Sequence, residues 1–231
     1  MASRPEHRAA PVRGARPPSI LLTGFEPFGG ETVNPSWQVA RALHGEVIEG
    51  AGVHALCLPC AFGDALAVLG DALRRRRPHI VLALGQAAGR ADITPERVAI
   101  NVDDARMPCN AGRQPIDQAI VPGAPVAYFA TLPIKAIVAA LRAAGLPASV
   151  SQTAGTYVCN HVFYGLMHAL RRRRGVRAGF VHLPLLPEQA ARAAGAPPSL
   201  PLADQLRAVR LALTTAVPTA VDLRVNGGAA A

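Results

Sequence analysis

The chain has 231 residues, 50% of them hydrophobic, 17% charged and 4% aromatic, with 21 Gly and 21 Pro; this globular composition excludes disordered and collagen-like classes. At this length one domain is the default, and about 70% of the unfolded surface is buried on folding, so a core forms without disulfides or metal as staples. No apolar stretch approaches the roughly 20 residues that span a bilayer, which excludes a membrane helix, while the net charge of +9 raises nucleic acid as a partner.

The positions of the basic residues argue against that partner. They sit in the N-terminal segment, at Arg74 to Arg77, and at Arg171 to Arg174 with Arg177. The last two runs close helical patterns, where cations complement the helix dipole. Aromatic interleaving for base stacking is absent, so neither nucleic acid nor membrane is expected as a partner. Residues 1 to 18 interleave Arg with Pro and Ala, without the apolar core of a secretory signal, and read as a disordered extension before a folded domain at 19 to 231. Glu6 and the single Ser3 weaken a transit-peptide reading. Four cysteines, Cys57, Cys60, Cys109 and Cys159, in a chain without such a signal read as reduced thiols in a cytoplasmic protein.

In chain order, the patterns predict a strand over Ile20 to Thr23, a helix over Pro35 to Leu43 with Pro at its first position and Gly45 beyond its end, and a strand over Val53 to Leu58. A helix over Asp64 to Arg76 and a strand over Ile80 to Leu84 follow. Asp103 to Ala127 is rich in Pro, Gly, Asn and Asp and reads as a long excursion with a hairpin; loops of that length are often functional. Helix Ile134 to Ala144, a strand near Ala148 to Ser151, helix Val158 to Arg172, strand Gly179 to Leu183 and helix Leu202 to Ala216 complete the domain, with Asn226 to Ala231 frayed. The alternation predicts an α/β fold: one domain, a twisted central sheet flanked by helices on both faces.

Ligands of open α/β sheets collect where strands end, and three such places carry reactive residue types. Thr23 to Gly30 is a Gly-rich loop that fits neither GxGxxG nor the P-loop; its Phe25 and Phe28 suit core staples and pocket walls equally. Ser151 to Asn160 runs through small residues into a helix with Cys159 in its first turn, where free N–H groups and the dipole favour a thiolate; a buried core thiol is the alternative. Gly179 to Pro184 ends a strand with His182, either a structural histidine or the base a thiol needs. His161 lies about 200° around the helix from Cys159 and cannot share its site, and His168 is expected to be exposed. Cys57 and Cys60 form a CxxC without the second pair that zinc requires. Glu96 sits among apolar residues, where a carboxylate needs a partner: a histidine to orient, or an arginine.

These residues resemble the type I pyroglutamyl peptidases, also called pyrrolidone-carboxylate peptidases. The resemblance covers Ile20 to about Gln189 and rests on Gly24 to Gly30, Gly85 to Arg90 followed by Ile93 to Asn101, Ser151 to Asn160, and Gly179 to Pro184. It implies a cysteine peptidase that removes N-terminal pyroglutamate from peptides through a thioester, without a metal or other cofactor. Cys159 is then the nucleophile, His182 the base and Glu96 its orienting acid, with Arg106 near the oxyanion beside the Cys159 N–H. It further implies a pocket of Phe25, Phe28, Asn34, Gln86, Met107, Tyr157 and Val158, a nucleoside-phosphorylase-like fold and a homotetramer. Tyr157 stands where Phe is expected, so its hydroxyl needs a partner, and Cys109 stands where Asp is expected. The rivals are a nucleoside phosphorylase-like enzyme and a redox protein using Cys57 and Cys60.

Overall fold

The computed structural model describes residues 17–228. In chain order the elements are β1 (Ser19–Phe25), α1 (Pro35–Ala42), β2 (Val47–Ile48), β3 (Ala51–Leu58), α2 (Asp64–Arg76), β4 (Ile80–Gln86), β5 (Thr94–Pro95), β6 (Val98–Ile100), β7 (Ala127–Phe129), α3 (Ile134–Ala143), α4 (Val158–Leu170), β8 (Arg177–Leu183), α5 (Pro187–Ala190) and α6 (Leu202–Ala216). The main sheet has the order β2-β3-β1-β4-β8-β5, and β6 pairs with β7 in a separate hairpin. The four inner strands are parallel, whereas the short edge strands β2 and β5 run antiparallel.

Strand periodicity sorts the core into two layers. Ile20, Leu22, Leu82, Leu84, Val181 and Leu183 face the side covered by α1, α3 and α6. Leu21, Val81, Ala83 and Phe180 face the side of α2 and α4. Burial on both faces explains why these strands are mostly apolar. The expected α/β fold with helices on both faces is therefore observed.

Two of the predicted elements differ. Near Ala148 to Ser151 no strand forms, only isolated bridges from Ile93 to Ala148 and from Glu96 to Ser151, because the adjoining edge strand β5 is two residues long and contains Pro95, which has no N–H for a ladder. The excursion after Asp103 is not itself a hairpin; β6 and β7 bracket it, and Asp103 bridges to Gln118 within it. Side chains of α4 hold its start. The Asn160 amide accepts from Ile100 N and donates to Ile100 O and Val102 O, while His161 binds Asp103 at 2.7 Å and accepts from Gly63 N at 2.9 Å. His161 thus serves the loop behind the helix, away from Cys159.

The ends also differ from expectation. Pro18 O accepts from Gly52 N, joining the sheet, and the Gly227 carbonyl accepts from Arg97 at 2.9 Å, so 226–228 are bound rather than frayed. The expected disorder of residues 1–16 and of 229–231 falls outside the described residues. His168, expected to be exposed, is half-buried and meets the Tyr128 hydroxyl at 3.0 Å. Arg74, Arg75 and Arg76 occupy the last turn of α2, as their dipole reading requires.

Candidate active site

The sheet delivers three segments to one place. β4 and β8 are parallel neighbours with Gly85 opposite His182, and the β5 segment crosses the end of β8, where Glu96 N donates to Phe180 O. Glu96 is 0% exposed and His182 4%, and His182 Nδ1 meets Glu96 Oε1 at 2.7 Å. With Nδ1 engaged by a carboxylate, the imidazole carries its proton there and Nε2 is left as a lone pair.

Cys159 reaches the same spot from α4. The turn before the helix passes through Gly155 at φ +77, a left-handed conformation natural to glycine. It is tied to the excursion by Thr156, whose hydroxyl donates to Asp104 O at 2.7 Å. Cys159 is the second residue of α4, where backbone N–H groups have no intrahelical acceptor. Its sulfur lies against β4: a Cβ on Gly85 would sit 2.9 Å from Cys159 Sγ and 2.7 Å from Phe180 Cζ. Gly85 therefore makes room for the thiol directly beside His182.

Burial pushes the Cys159 thiol well above the usual cysteine range, Cys60 and Glu96 add to this, and Arg90 alone opposes them. Burial here opposes the helix terminus, which favours the thiolate. Burial likewise holds the His182 imidazole below its usual range, although the hydrogen bond and charge of Glu96 pull it upward and Arg90 pushes it down. The arrangement suits transfer of the thiol proton to His182 during attack, with Glu96 behind the imidazole to steady the charge it gains.

Cys159 and His182 open onto a cavity of about 560 Å³ that is also lined by Phe28, Gln86, Arg90, Arg106, Met107 and Tyr157, a size typical of small-molecule sites. The Tyr157 hydroxyl finds its partner in Pro108 O at 3.1 Å, and its ring packs on Phe28 and edge-on to Phe62. Three expected pocket residues are not among those lining this cavity. Phe25 is buried in the core against Phe180. Asn34 caps α1, accepting from Ser36 N and donating to Glu26 O. Val158 is fully buried, because the first residue of α4 points into the α2–α4 layer while the next one faces the cavity. The loop of Cys109 is pinned by Asn110, which donates to Glu26 Oε1 and Pro27 O.

Comparison with known proteins agrees with this geometry. The sequence profile of the family described as "Pyroglutamyl peptidase" matches residues 18–219. The chain belongs to the pyroglutamyl peptidase family. It is 62% identical over 210 residues to the pyrrolidone-carboxylate peptidase of Chromobacterium violaceum, covering 91% of this chain and 98% of that protein. Among solved structures, pyroglutamyl peptidase I from Bacillus amyloliquefaciens superposes with a TM-score of 0.88 at 46% identity, covering 90% of this chain and 99% of that one. The Thermococcus litoralis pyrrolidone carboxyl peptidase gives 0.84 at 40%, covering 87% and 94%.

Family membership displaces both rival readings, and the thiols agree. Cys57 and Cys60 are unpaired; burial raises Cys57 and pushes Cys60 up to about 12, the reverse of a reactive redox pair. Sequence reasoning overlooked two participants. Arg90 ends the quoted Gly85 to Arg90 motif, and its place just past a strand was the available signal. Gln189, buried in α5, accepts from Leu186 N through Oε1 and donates through Nε2 to Gln86 Oε1 at 3.0 Å. Because a backbone N–H fixes the first amide, the second is fixed too, and Gln86 keeps an NH₂ without a partner among the described residues.

Proposed function

We propose that this peptidase cleaves the amide bond after an N-terminal pyroglutamyl residue with Cys159 as nucleophile, His182 as base and then acid, and Glu96 as the group that orients the imidazole. The observation that carries the assignment is the opening of Cys159 and His182 onto one cavity, with Glu96 bonded behind the imidazole. Sγ attacks the carbonyl carbon as His182 Nε2 takes the thiol proton. The oxyanion that forms is met by the Cys159 N–H and by Arg106. Collapse of the intermediate breaks the C–N bond, and His182 returns the proton to the leaving amine, leaving a thioester. Water then attacks the thioester, giving its proton to His182, and pyroglutamate leaves as the thiol is restored. Glu96 stabilises the transient imidazolium without taking its proton.

The lactam ring is mostly apolar with one C=O and one N–H. Phe28, Met107 and Tyr157 supply apolar walls, and the NH₂ of Gln86 is a donor suited to the lactam carbonyl. Self-association belongs to the same reading: Val126 and Phe129, 85% and 69% exposed at β7, favour burial between copies. Unpaired cysteines suit a cytoplasmic site of action. The deciding experiment is hydrolysis of a pyroglutamyl chromogenic amide before and after iodoacetamide. Activity lost together with alkylation of Cys159 supports the assignment; activity that survives complete alkylation there refutes it.

A further inference from the structure

The carboxylate behind His182 is shared. Glu96 Oε1 accepts from His182 at 2.7 Å and also from Arg90 Nη1 at 2.6 Å. Glu96 Oε2 is buried without a hydrogen-bond partner among the described residues. Arg90 is itself held in place: Nη1 meets Thr94 Oγ1 at 2.6 Å, and Nη2 donates to Thr153 O at 2.8 Å in the turn that leads to Cys159. One guanidinium thus ties the segment after β4, the β5 segment and the approach to α4, and it borders the cavity.

We propose that Arg90 is a positioning residue for the reaction, keeping His182 an uncharged base while Glu96 remains a carboxylate. The proposal rests on the reading of Glu96, His182 and Cys159 as the reacting set. A guanidinium cannot give up its proton in a protein, so Arg90 and Glu96 together are neutral and the imidazole has no net negative charge to balance. Without Arg90, the buried carboxylate would keep His182 as its one side-chain hydrogen-bond donor among the described residues and no counter-charge. An unpaired buried charge is costly. The least costly relief is uptake of a proton by the Glu96–His182 pair, and whichever of the two holds it, His182 no longer serves as an oriented free base.

The other titratable groups around the pair do not replace this cation. The thiols of Cys159 and Cys60 carry no positive charge in either protonation state. Asp104 and Arg106 also line the cavity and hydrogen-bond neither Glu96 nor His182. Glu31, at the rim, is paired with Arg192 at 3.0 Å. The downward push of Arg90 on His182 and on Cys159 agrees in sign.

The test compares wild type, R90Q and R90K by two readouts over pH: kcat/KM on a pyroglutamyl amide, and the iodoacetamide alkylation rate at Cys159 followed by mass spectrometry. R90Q keeps donors but loses the charge, and both acid limbs should move to higher pH by about one unit, the scale of a nearby charge. R90K keeps the charge and should leave the limbs in place while lowering kcat/KM, since it loses the fork to Thr153. Limbs that stay put in R90Q, with kcat/KM reduced as much as in R90K, would overturn the proposal and leave Arg90 a structural clamp. Alkylation needs no substrate, so a limb that shifts there in a protein without pyroglutamyl hydrolysis would reject the assigned activity and spare the proposal. Should R90Q not fold, ¹⁵N-histidine NMR of wild type decides: His182 must stay neutral with its proton on Nδ1 at pH 7, and an imidazolium there overturns the inference.

Discussion

Replacing Gly85 by alanine is the smallest change that probes how the fold places the thiol. The new methyl would lie 2.9 Å from Cys159 Sγ and 2.7 Å from Phe180 Cζ, whereas ordinary contacts need about 3.5–4.0 Å. Sulfur or strand must therefore give by about 0.6–1.1 Å. Phe180 is 1% exposed and packs on Phe25 and Phe163, so the ring has nowhere to retreat; β4 must shift away from it, and Cys159 is displaced from its place against that strand. Overpacking of this kind costs about 1–3 kcal/mol of stability. For a domain of this size that lowers Tm by about 2–12 °C. A misplacement of about 1 Å costs about 10²-fold in rate. Measured on a pyroglutamyl amide, kcat should fall by about that factor with KM changed much less, because the methyl is at the sulfur and not at the ring pocket. A G85A enzyme with wild-type kcat and Tm would refute the argument that the glycine accommodates the thiol.

The remaining predictions concern chemistry and selectivity. Cys159→Ser should lower kcat/KM by several powers of ten with the fold intact by circular dichroism; a loss below tenfold, worth only about 1.4 kcal/mol of barrier, removes Cys159 from the nucleophile's role. In wild type, burial of His182 should place the acid limb of kcat/KM below pH 6.5, since a base of lowered pKa stays free to lower pH. Glu96→Gln removes the charge that raises His182, so the limb should move further down in pH with partial activity retained, and an unchanged profile would detach Glu96 from the site. Pyroglutamyl amides should be preferred to prolyl amides by about 10⁴ to 10⁵ in kcat/KM, because proline lacks the carbonyl that pairs the Gln86 donor and brings a cation to apolar walls; a ratio under about 100 would assign selectivity to ring shape.

The sequence by itself determined the class of fold, because strands buried on both faces and amphipathic helices carry their periods in the chain. Helices α2 and α6 form over the ranges their patterns predict. It also singled out Cys159 at a helix start and His182 at a strand end, and motifs pointed to Glu96. What it could not decide was direction. Phe25 ends β1 and Phe28 lies three positions on in the following loop, yet one packs into the core and the other lines the cavity. Val158 and Cys159 are adjacent, yet a helix turns successive side chains by about 100° and sends them to opposite surroundings. The surroundings of the thiol were equally out of reach, since a helix N-terminus is visible in sequence while the packing of Cys159 against Gly85 and Phe180 is not. Arg90, Gln189 and Gly85 gain their importance only from neighbours brought in by the sheet: a carboxylate six residues away across a turn, an amide in α5, a sulfur in α4. Contacts of that kind are made by packing, and no local pattern in the chain records them.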